Sequence, residues 1–370
     1  MPQMNPITKF SFRFFAVLVG LTLLGSLVLR AGPEVVWNQL RTVGSGLAVI
    51  IVLGGVALWV RTWAWRLTFA CDITALSWSR SFATGLVSEA LGQLGLGGKA
   101  VGEGMRIALL RPAVPLPNAI SSGVIDGALH LASSTIVMVS GIIATLVLAS
   151  PSGTWRVFAL TFAIVLMTVL VLAIVSYGNR WALMGNAARA VGRVPWFHKW
   201  IGGKLSVIDS SEHNLLDFSR KAPAAFCAAF LLNFLWQALA VLEVYIVLRF
   251  MRTNMAVFGA FVMEGLTKLI NLVGAFNPGN IGTYEGGNML MTKLFGVSGT
   301  VGLTLALCRR ARALFWASIG AICLMLMSAP NEARKEDLKS DSTTGSCTYE
   351  RERNETSRAI EITLERGSQC

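Results

Sequence analysis

The chain has 370 residues, of which 54% are hydrophobic and 14% charged, and its mean hydropathy is +0.60. This composition excludes a soluble globular protein and is typical of a helical protein that crosses a membrane several times. The net charge of +12 would suggest a nucleic-acid partner in a soluble protein. Here most Lys and Arg residues lie in short segments between apolar runs, so membrane topology accounts for them and no nucleic-acid partner is expected.

The cysteines and histidines predict neither a disulfide framework nor a metal site. The six cysteines contain no CxxC pair, and the three histidines show no HExxH spacing. No phosphate-binding loop accompanies them, so we expect no cofactor. At the N-terminus, Lys9 and Arg13 precede an apolar run that Arg30 closes without a small-x-small cleavage site. This pattern predicts a retained first helix rather than a signal peptide.

Six apolar runs can cross or nearly cross a hydrocarbon core of about 30 Å, because a helix rises about 1.5 Å per residue. They are Phe14–Leu29, Gly46–Val60, Ala119–Ala149, Val157–Val175, Ala222–Val247 and Val301–Met327. The residues after the second run, Arg61, Trp63, Trp65 and Arg66, combine aromatic and basic side chains, so we interpret them as interfacial anchors. Tyr177–Lys221 is interpreted as an amphipathic segment on the membrane surface.

Two further segments, Ser81–Arg111 and Ala256–Phe295, are interrupted by glycines and charges that do not suit an unbroken lipid-facing helix. Irregular backbone persists at membrane depth only where protein or a polar cavity satisfies it, so we expect two re-entrant helical hairpins. For the first segment the alternative is a solvated loop with an amphipathic helix. The predicted hairpin turns contain Gly97, Gly98, Pro278, Gly279 and Gly282.

The two hairpins align with a constant offset of 182 residues, which matches Glu103 with Glu285 and Arg111 with Lys293. Three crossings separate the hairpins, so they enter from opposite sides, as in transporters whose inverted repeats form the substrate site from broken helices. With the N-terminus inside, the inner segments hold 13 Lys and Arg residues and the outer ones hold 5. This distribution follows the positive-inside rule.

The predicted fold is therefore an all-α polytopic membrane protein with about six transmembrane helices and two re-entrant helical hairpins related as an inverted repeat. Eight transmembrane helices are the alternative. Residues 1–330 form a single membrane domain in this interpretation, with both termini cytoplasmic. Residues 331–370 carry seven basic and nine acidic side chains and almost no apolar periodicity, which predicts a disordered tail.

Ionisable side chains at the centre of a membrane helix cost about 2.5–3.5 kcal/mol each on insertion scales, so those in the apolar segments are functional candidates. The arginine cluster near residue 310 is the main one, because the planar guanidinium can give a phosphate two parallel hydrogen bonds. No catalytic residue is predicted. The predicted substrate-binding residues are Arg309, Arg310, Arg312, Glu285, Glu103, Arg106, Lys99, Asp126, Glu264 and Lys268.

Several of these residues have a second interpretation. Asp126 and His130 lie one helical turn apart, so they could form a proton relay or a capping pair near a helix end. Glu264 and Lys268 have the spacing of an ion pair within one helix, which is as consistent with the sequence as a substrate contact. The three arginines could pair with Glu264 or Glu285 purely for folding, or reach an interface.

Two motifs resemble a known family. NPGNIGTYEGG, followed by CRRARA, resembles the C-terminal signature of the flippase-like membrane domain of lysylphosphatidylglycerol synthases and their stand-alone relatives. GQLGLGGKAVGEGMRIALLR followed by SSGVIDGAL resembles an earlier block of that family. Among the relatives, the ALCRRARAL ending is most similar to the hopanoid-biosynthesis-associated membrane proteins. The resemblance covers roughly residues 10–330.

The resemblance implies lipid handling in a bacterial-type plasma membrane, with membrane lipids as partners. The two-part synthases also carry a soluble aminoacyl-transferase domain. Only residues 328–370 follow the last crossing here, so we do not expect this chain to aminoacylate lipid. The turn Asn277–Asn280 is also more polar than the turn expected for relatives, which leaves the identity of the lipid open.

Three functions are compatible with these features. The first is a lipid translocase of the inner membrane that carries an anionic or amphiphilic headgroup between leaflets. The alternative is a non-transporting membrane subunit that presents a hopanoid or polyprenyl-linked lipid to separate biosynthetic enzymes, which would then be its partners. A lipid-modifying enzyme is the least favoured, because the acid and base candidates, Asp126, His130, Glu103 and Glu285, lack a nucleophile, a metal set or a phosphate loop.

Overall fold

A computed structural model describes most of the chain between residues 34 and 327. The described residues are 34, 37, 38, 41, 43–69, 73, 76–92, 98–111, 113–149, 153–178, 214, 217, 218, 220–274, 280 and 282–327. All regular secondary structure in these residues is helical. The main helices are α1 (Gly46–Arg66), α2 (Trp78–Gly92), α3 (Gly98–Leu110), α4 (Leu116–Ala149), α5 (Gly153–Gly178), α6 (Pro223–Phe250), α7 (Val257–Val273), α8 (Thr283–Leu294) and α9 (Gly299–Met327).

Five of the described helices, α1, α4, α5, α6 and α9, are long and apolar enough to cross a membrane. They coincide with the last five predicted crossings, which confirms the polytopic helical class. The predicted first crossing, the surface segment over 179–213 and the tail over 331–370 lie outside the described residues. One boundary differs: α1 continues beyond Val60 to Arg66, so Arg61 belongs to the membrane helix.

The two predicted hairpins are pairs of shorter helices. In the first, α2 packs against α3, and in the second α7 packs against α8. Their lengths, from 12 to 17 residues, give about 18–26 Å of helix, which is less than the apolar core of a bilayer. This geometry fits re-entrant hairpins better than two additional pairs of crossings.

The predicted turn residues are only partly described. Gly97, Pro278 and Gly279 lie outside the described residues. Gly98 is the first residue of α3 rather than a turn residue, because the helix begins one residue earlier than the glycine pattern suggested. Gly282 has φ +81° and precedes α8, a left-handed conformation that glycine adopts without a steric penalty.

The offset of 182 residues relates two four-helix units, α1–α4 and α6–α9. Adding 182 to the bounds of α1 gives 228–248, which falls within α6, and the shifted bounds of α2, α3 and α4 overlap those of α7, α8 and α9. Contacts between the units are reciprocal. Arg312 packs against Gly54, and the equivalent pair is His130 with Trp236, whose ring centroids are 4.9 Å apart. A pseudo-two-fold relation between two repeats produces such reciprocity.

Helix α6 packs against α1, α4 and α7. Its buried side chains Val244, Val247 and Leu248 form an apolar core with Met263 of α7 and Leu305 of α9. In contrast, α5 leaves most of its apolar side chains exposed, as expected for a lipid-facing helix. The polar groups that α6 buries are therefore held in the protein interior, away from lipid.

Candidate functional site

The first cluster of buried charge consists of Arg61 on α1, Glu103 and Arg106 on α3, and Asp126 on α4. Asp126 is 1% exposed, and its Oδ2 lies 3.0 Å from Nη2 of Arg61 and 3.8 Å from Nη1 of Arg106. Arg106 also donates to both carboxylate oxygens of Glu103, at 3.1 and 3.2 Å. Two cations thus face two carboxylates where three helices meet, and the first cluster is electrically neutral.

The first cluster gives Arg61 partners that its interpretation as an interfacial anchor did not include. Arg61 donates through Nη1 to Oδ1 of Asn233 on α6 at 3.1 Å, in addition to its ion pair with Asp126. Trp65, predicted as another anchor, is 1% exposed and lies under the Arg106 guanidinium, 3.5 Å from its centre. The hydropathy pattern predicted that the helix ends before these residues. Partners on other helices satisfy their polar groups, so the helix continues through them.

Asp126 and His130 contact different helices. Asp126 lies in the third turn of α4, which contradicts the capping interpretation, and its carboxylate contacts the two arginines. The His130 ring instead packs edge-on against Trp236. The structure thus shows Asp126 as a counterion, with His130 directed towards a different helix.

The second cluster contains more charge and combines residues of α6, α7, α8 and α9. Its members are Glu243, Glu264, Lys268, Glu285, Arg309, Arg310 and Arg312. Arg309 lies at its centre and is 7% exposed; its Nη2 is 2.5 Å from Glu264 Oε2 and 3.0 Å from the carbonyl oxygen of Ala240. Lys268 Nζ lies 2.9 Å from Glu264 Oε1, which confirms the predicted pair within α7.

Arg310 connects α9 to the start of α8. It forms an ion pair with Glu285 and donates through Nη2 to the carbonyl oxygen of Asn280 at 3.0 Å. Glu285 Oε2 in turn accepts a hydrogen bond from the backbone N–H of Gly282 at 2.8 Å. The carboxylate therefore satisfies a free N–H at the helix start and a cation on the next crossing, which stabilises the second hairpin.

Arg312 is the most exposed cation of the second cluster, with 26% of its side chain accessible. Its Nε lies 2.9 Å from Glu243 Oε1, and its aliphatic stem packs on Gly54 of α1. A Cβ at Gly54 would lie 2.5 Å from Arg312 Cδ, so a glycine is needed for this approach. The adjacent Gly55 gives similar room to the ring of Trp316.

Two of the three arginines have the carboxylate partners that the folding interpretation named, and Arg312 has a partner that it did not name. Arg309 pairs with Glu264, Arg310 with Glu285, and Arg312 with Glu243. The interpretation that they reach an interface is wrong for Arg309, because it is buried well inside α9. However, four cations face three carboxylates in the second cluster, so one positive charge is in excess.

The charges of the two repeats are inverted. The offset of 182 matches Arg61 with Glu243, which occupy equivalent positions on α1 and α6. Arg61 pairs with Asp126 on the last helix of its repeat, whereas Glu243 pairs with Arg309 and Arg312 on the last helix of the other. The repeats thus share the location of the ion pair but exchange its signs.

The structure divides the predicted site into two parts. Glu103, Arg106 and Asp126 belong to the first cluster, and the remaining predicted residues belong to the second, except Lys99, whose side chain lies outside the described residues. Sequence reasoning missed Arg61 and Glu243 as cluster members, as well as three residues on α6. Those three are Asn233, Trp236 and Gln237, which follow one another at helical spacing.

Trp236 lies between the two clusters. Its ring centroid is 6.0 Å from the guanidinium carbon of Arg61 and 5.4 Å from Nζ of Lys268. One side chain therefore contacts a cation from each repeat. In the described part of the chain, no group of three or more His, Cys, Asp or Glu side chains is arranged to hold a metal ion.

The chain matches the model of a known protein family over most of its length. The family whose model matches is described as the lysylphosphatidylglycerol synthase TM region, and the match covers residues 13–320. No curated protein and no solved structure matches the chain. The match includes both hairpins and both clusters, and it confirms the family predicted from the two motifs. The narrower hopanoid-associated subgroup stays a prediction.

Proposed function

Because the chain belongs to the lysylphosphatidylglycerol synthase transmembrane-region family, we propose that it is a lipid translocase that carries an anionic headgroup between the leaflets of a bacterial-type plasma membrane. Family membership supports a lipid-related membrane protein. The movement of lipid and the sign of the headgroup are inferred from the two clusters.

The excess positive charge of the second cluster carries this proposal. Buried ions in a membrane protein are costly unless they are paired or bind a charged ligand. Four cations and three carboxylates leave the cluster one negative charge short, which the phosphate of a lipid would supply. Arg312, with 26% of its side chain accessible, is the cation best placed to contact it.

The reciprocal packing of the two repeats supports a transport mechanism. In transporters with inverted repeats, the halves exchange conformations around a site near the middle of the membrane. The pairs Gly54–Arg312 and His130–Trp236 occupy equivalent places in the two halves. The side chains of the two pairs differ. An exchange of conformations between the two halves would therefore expose different groups in the inward-facing and outward-facing states.

A vesicle assay tests the proposal. The purified chain is reconstituted with phosphatidylglycerol that carries a fluorescent label on an acyl chain, and dithionite then bleaches the label in the outer leaflet. Wild type should bring inner-leaflet label to the reagent, whereas empty vesicles should retain about half of the fluorescence, as expected for a lipid that does not cross apolar hydrocarbon unaided.

Arg312→Gln should slow this exchange by about tenfold or more, since a lost hydrogen bond to a charged group costs about 1.5–3 kcal/mol. Arg156→Gln is the matched control, because Arg156 is exposed near the start of α5, a helix that contributes no residue to either cluster. Equal exchange by wild type, Arg312→Gln and Arg156→Gln would exclude Arg312 as a headgroup contact. No exchange by wild type would contradict the translocase.

A second candidate has an observation of its own. All four cations of the second cluster lie close to a carboxylate of the chain, as they would if the charges only fixed helix packing. This fits a non-transporting subunit that presents a lipid, such as a hopanoid or polyprenyl-linked lipid, to biosynthetic enzymes. A stoichiometric enzyme co-purifying with a chain that moves no lipid would favour this function.

A further inference from the structure

One side of α6 carries a line of polar groups that joins the two clusters. Its members are Asn233, the adjacent Trp236 and Gln237, the carbonyl oxygen of Ala240, and Glu243. Steps of three or four residues separate Asn233, this adjacent pair, Ala240 and Glu243, which places them on one side of the helix. We call this line the α6 stripe. From Asn233 to Glu243 it extends about 15 Å, roughly half the thickness of the hydrocarbon core.

Each end of the α6 stripe is bonded to one cluster. Asn233 accepts a hydrogen bond from Arg61 of the first cluster at 3.1 Å. At the other end, the carbonyl oxygen of Ala240 accepts from Arg309 at 3.0 Å, and Glu243 lies 2.9 Å from Arg312. A line of buried polar groups therefore connects the two clusters.

The middle of the α6 stripe contains polar groups without charge. Gln237, only 2% exposed, donates through Nε2 to the hydroxyl oxygen of Ser134 at 2.7 Å and to that of Ser133 at 3.3 Å. Its Oε1 has no hydrogen-bond partner among the residues that the structure describes. A buried amide oxygen without a partner is costly, so its presence calls for an explanation, and a ligand that donates a hydrogen bond would provide one.

We propose that the α6 stripe is the passage along which the phosphate-bearing headgroup crosses between the two clusters, with Gln237 and Ser134 contacting it midway. The passage rests on the translocase proposed above. Arg61 and Arg312 place a guanidinium that can bind phosphate at each end of the stripe. The neutral centre prevents the phosphate from being held too tightly to leave, a requirement that transport sites share with ion pores. The acyl chains remain in the lipid while the headgroup moves.

Thiol labelling tests the passage without measuring transport. Ser134→Cys changes a single atom on the α6 stripe side of α4, and Leu131→Cys on the same helix provides a lipid-facing control at a similar depth, since Leu131 is 66% exposed. Vesicles that contain each variant are treated with a charged, water-soluble methanethiosulfonate. Site-resolved mass spectrometry separates the introduced thiol from the six native ones.

A thiol in a hydrated passage ionises and reacts, whereas a thiol in lipid stays protonated and inert. Labelling should therefore be at least about tenfold faster for Ser134→Cys than for Leu131→Cys. Gel filtration confirms that both variants are folded. Equal rates at the two positions, or no labelling of Ser134→Cys, would overturn the passage.

A protection experiment identifies the chemistry of the ligand. Soluble dihexanoyl phosphatidylglycerol should slow the labelling of Ser134→Cys, and zwitterionic dihexanoyl phosphatidylcholine should not. Absence of protection by dihexanoyl phosphatidylglycerol would overturn the passage. Equal protection by glycerol 1-phosphate would assign the α6 stripe to soluble phosphate esters and would also overturn it.

The two proposals fail in different ways. Lipid exchange by wild-type vesicles without labelling of Ser134→Cys would overturn the passage and leave the translocase standing. Labelling and lipid protection without lipid exchange would support a headgroup site on the α6 stripe and contradict the translocase.

Discussion

At the scale of single residues, burial decides which arginine is structural and which can meet a ligand. Arg309 is 7% exposed and lies close to Glu264, Glu243 and the carbonyl oxygen of Ala240. Arg312 is more exposed and contacts one carboxylate of the cluster. The sequence treats the two as equivalent members of one basic motif, because nothing in their spacing records which one faces the interior.

Arg309→Ala should therefore destabilise the fold, whereas Arg312→Ala should mainly affect lipid exchange. Removing one partner of a buried ion pair costs about 3–5 kcal/mol, because the other charge is left uncompensated. Thermal unfolding in detergent, followed by circular dichroism, should show a much lower midpoint for Arg309→Ala than for Arg312→Ala. Arg156→Ala should match wild type. Equal midpoints for the two cluster variants would contradict the assigned burial.

Gly54→Ala should destabilise the protein, although helix propensity alone favours alanine over glycine. In a helix interior, Ala is normally favoured over Gly by about 0.5–1 kcal/mol. At Gly54 an added Cβ would lie 2.5 Å from Arg312 Cδ and 2.8 Å from its Cγ, so the arginine has to move away from Glu243. Crowding of this kind costs about 1–3 kcal/mol.

We expect Gly54→Ala to lower the unfolding midpoint and to slow lipid exchange. Gly127→Ala is the control, because a Cβ at Gly127 meets no neighbouring atom within 4 Å. Its midpoint should be equal to that of wild type or higher. If both variants gained stability, Arg312 would not depend on Gly54 for its position.

At the scale of helices, the sequence predicted where the elements are but not which polar residues meet. Hydropathy located the five described crossings and the two hairpins, because these depend on local composition. It ended α1 before Arg61 and treated α6 as a plain crossing, because Asn233 and Gln237 are too few to alter an average over a window. Their meaning depends on the neighbouring helices, which a single segment does not reveal.

The repeat was also only partly visible in the sequence. Matches such as Glu103 with Glu285 predicted the equivalence of the hairpins, but the equivalence of α1 with α6 was hidden because Arg61 corresponds to Glu243. Packing at these positions requires an ion pair to the last helix of the repeat, and either arrangement of signs provides it. The two positions are therefore equivalent in geometry but not in residue type.

The pair of Arg61 and Asp126 should behave as a coupled unit that ties α1 to α4. We expect Arg61→Met and Asp126→Asn to be non-additive, with the double variant more stable than the sum of the two single losses predicts. Couplings between contacting charges are about 0.5–3 kcal/mol. Thermal unfolding of wild type, the two single variants and the double variant measures this coupling free energy. Strict additivity would return Arg61 to the role of an interfacial anchor.

At the scale of the whole molecule, the inverted arrangement makes a prediction about sidedness. Among the described residues, three long helices, α4, α5 and α6, separate the first hairpin from the second. An odd number of crossings places equivalent positions on opposite sides of the membrane. Arg111 and Lys293 are such a pair, since they differ by 182 residues, follow or end the second helix of their hairpins, and are both exposed.

Arg111→Cys and Lys293→Cys should therefore react from opposite sides. The positive-inside rule, applied to the Lys and Arg residues of the predicted inner segments, predicts that Arg111 lies on the cytoplasmic side. An impermeant maleimide added to intact cells should label Lys293→Cys within minutes, and it should label Arg111→Cys only after the membrane is permeabilised. Labelling of both from the same side would require an even number of crossings between the hairpins. The repeats would then be parallel, and a symmetric exchange of inward and outward conformations would no longer follow from their packing.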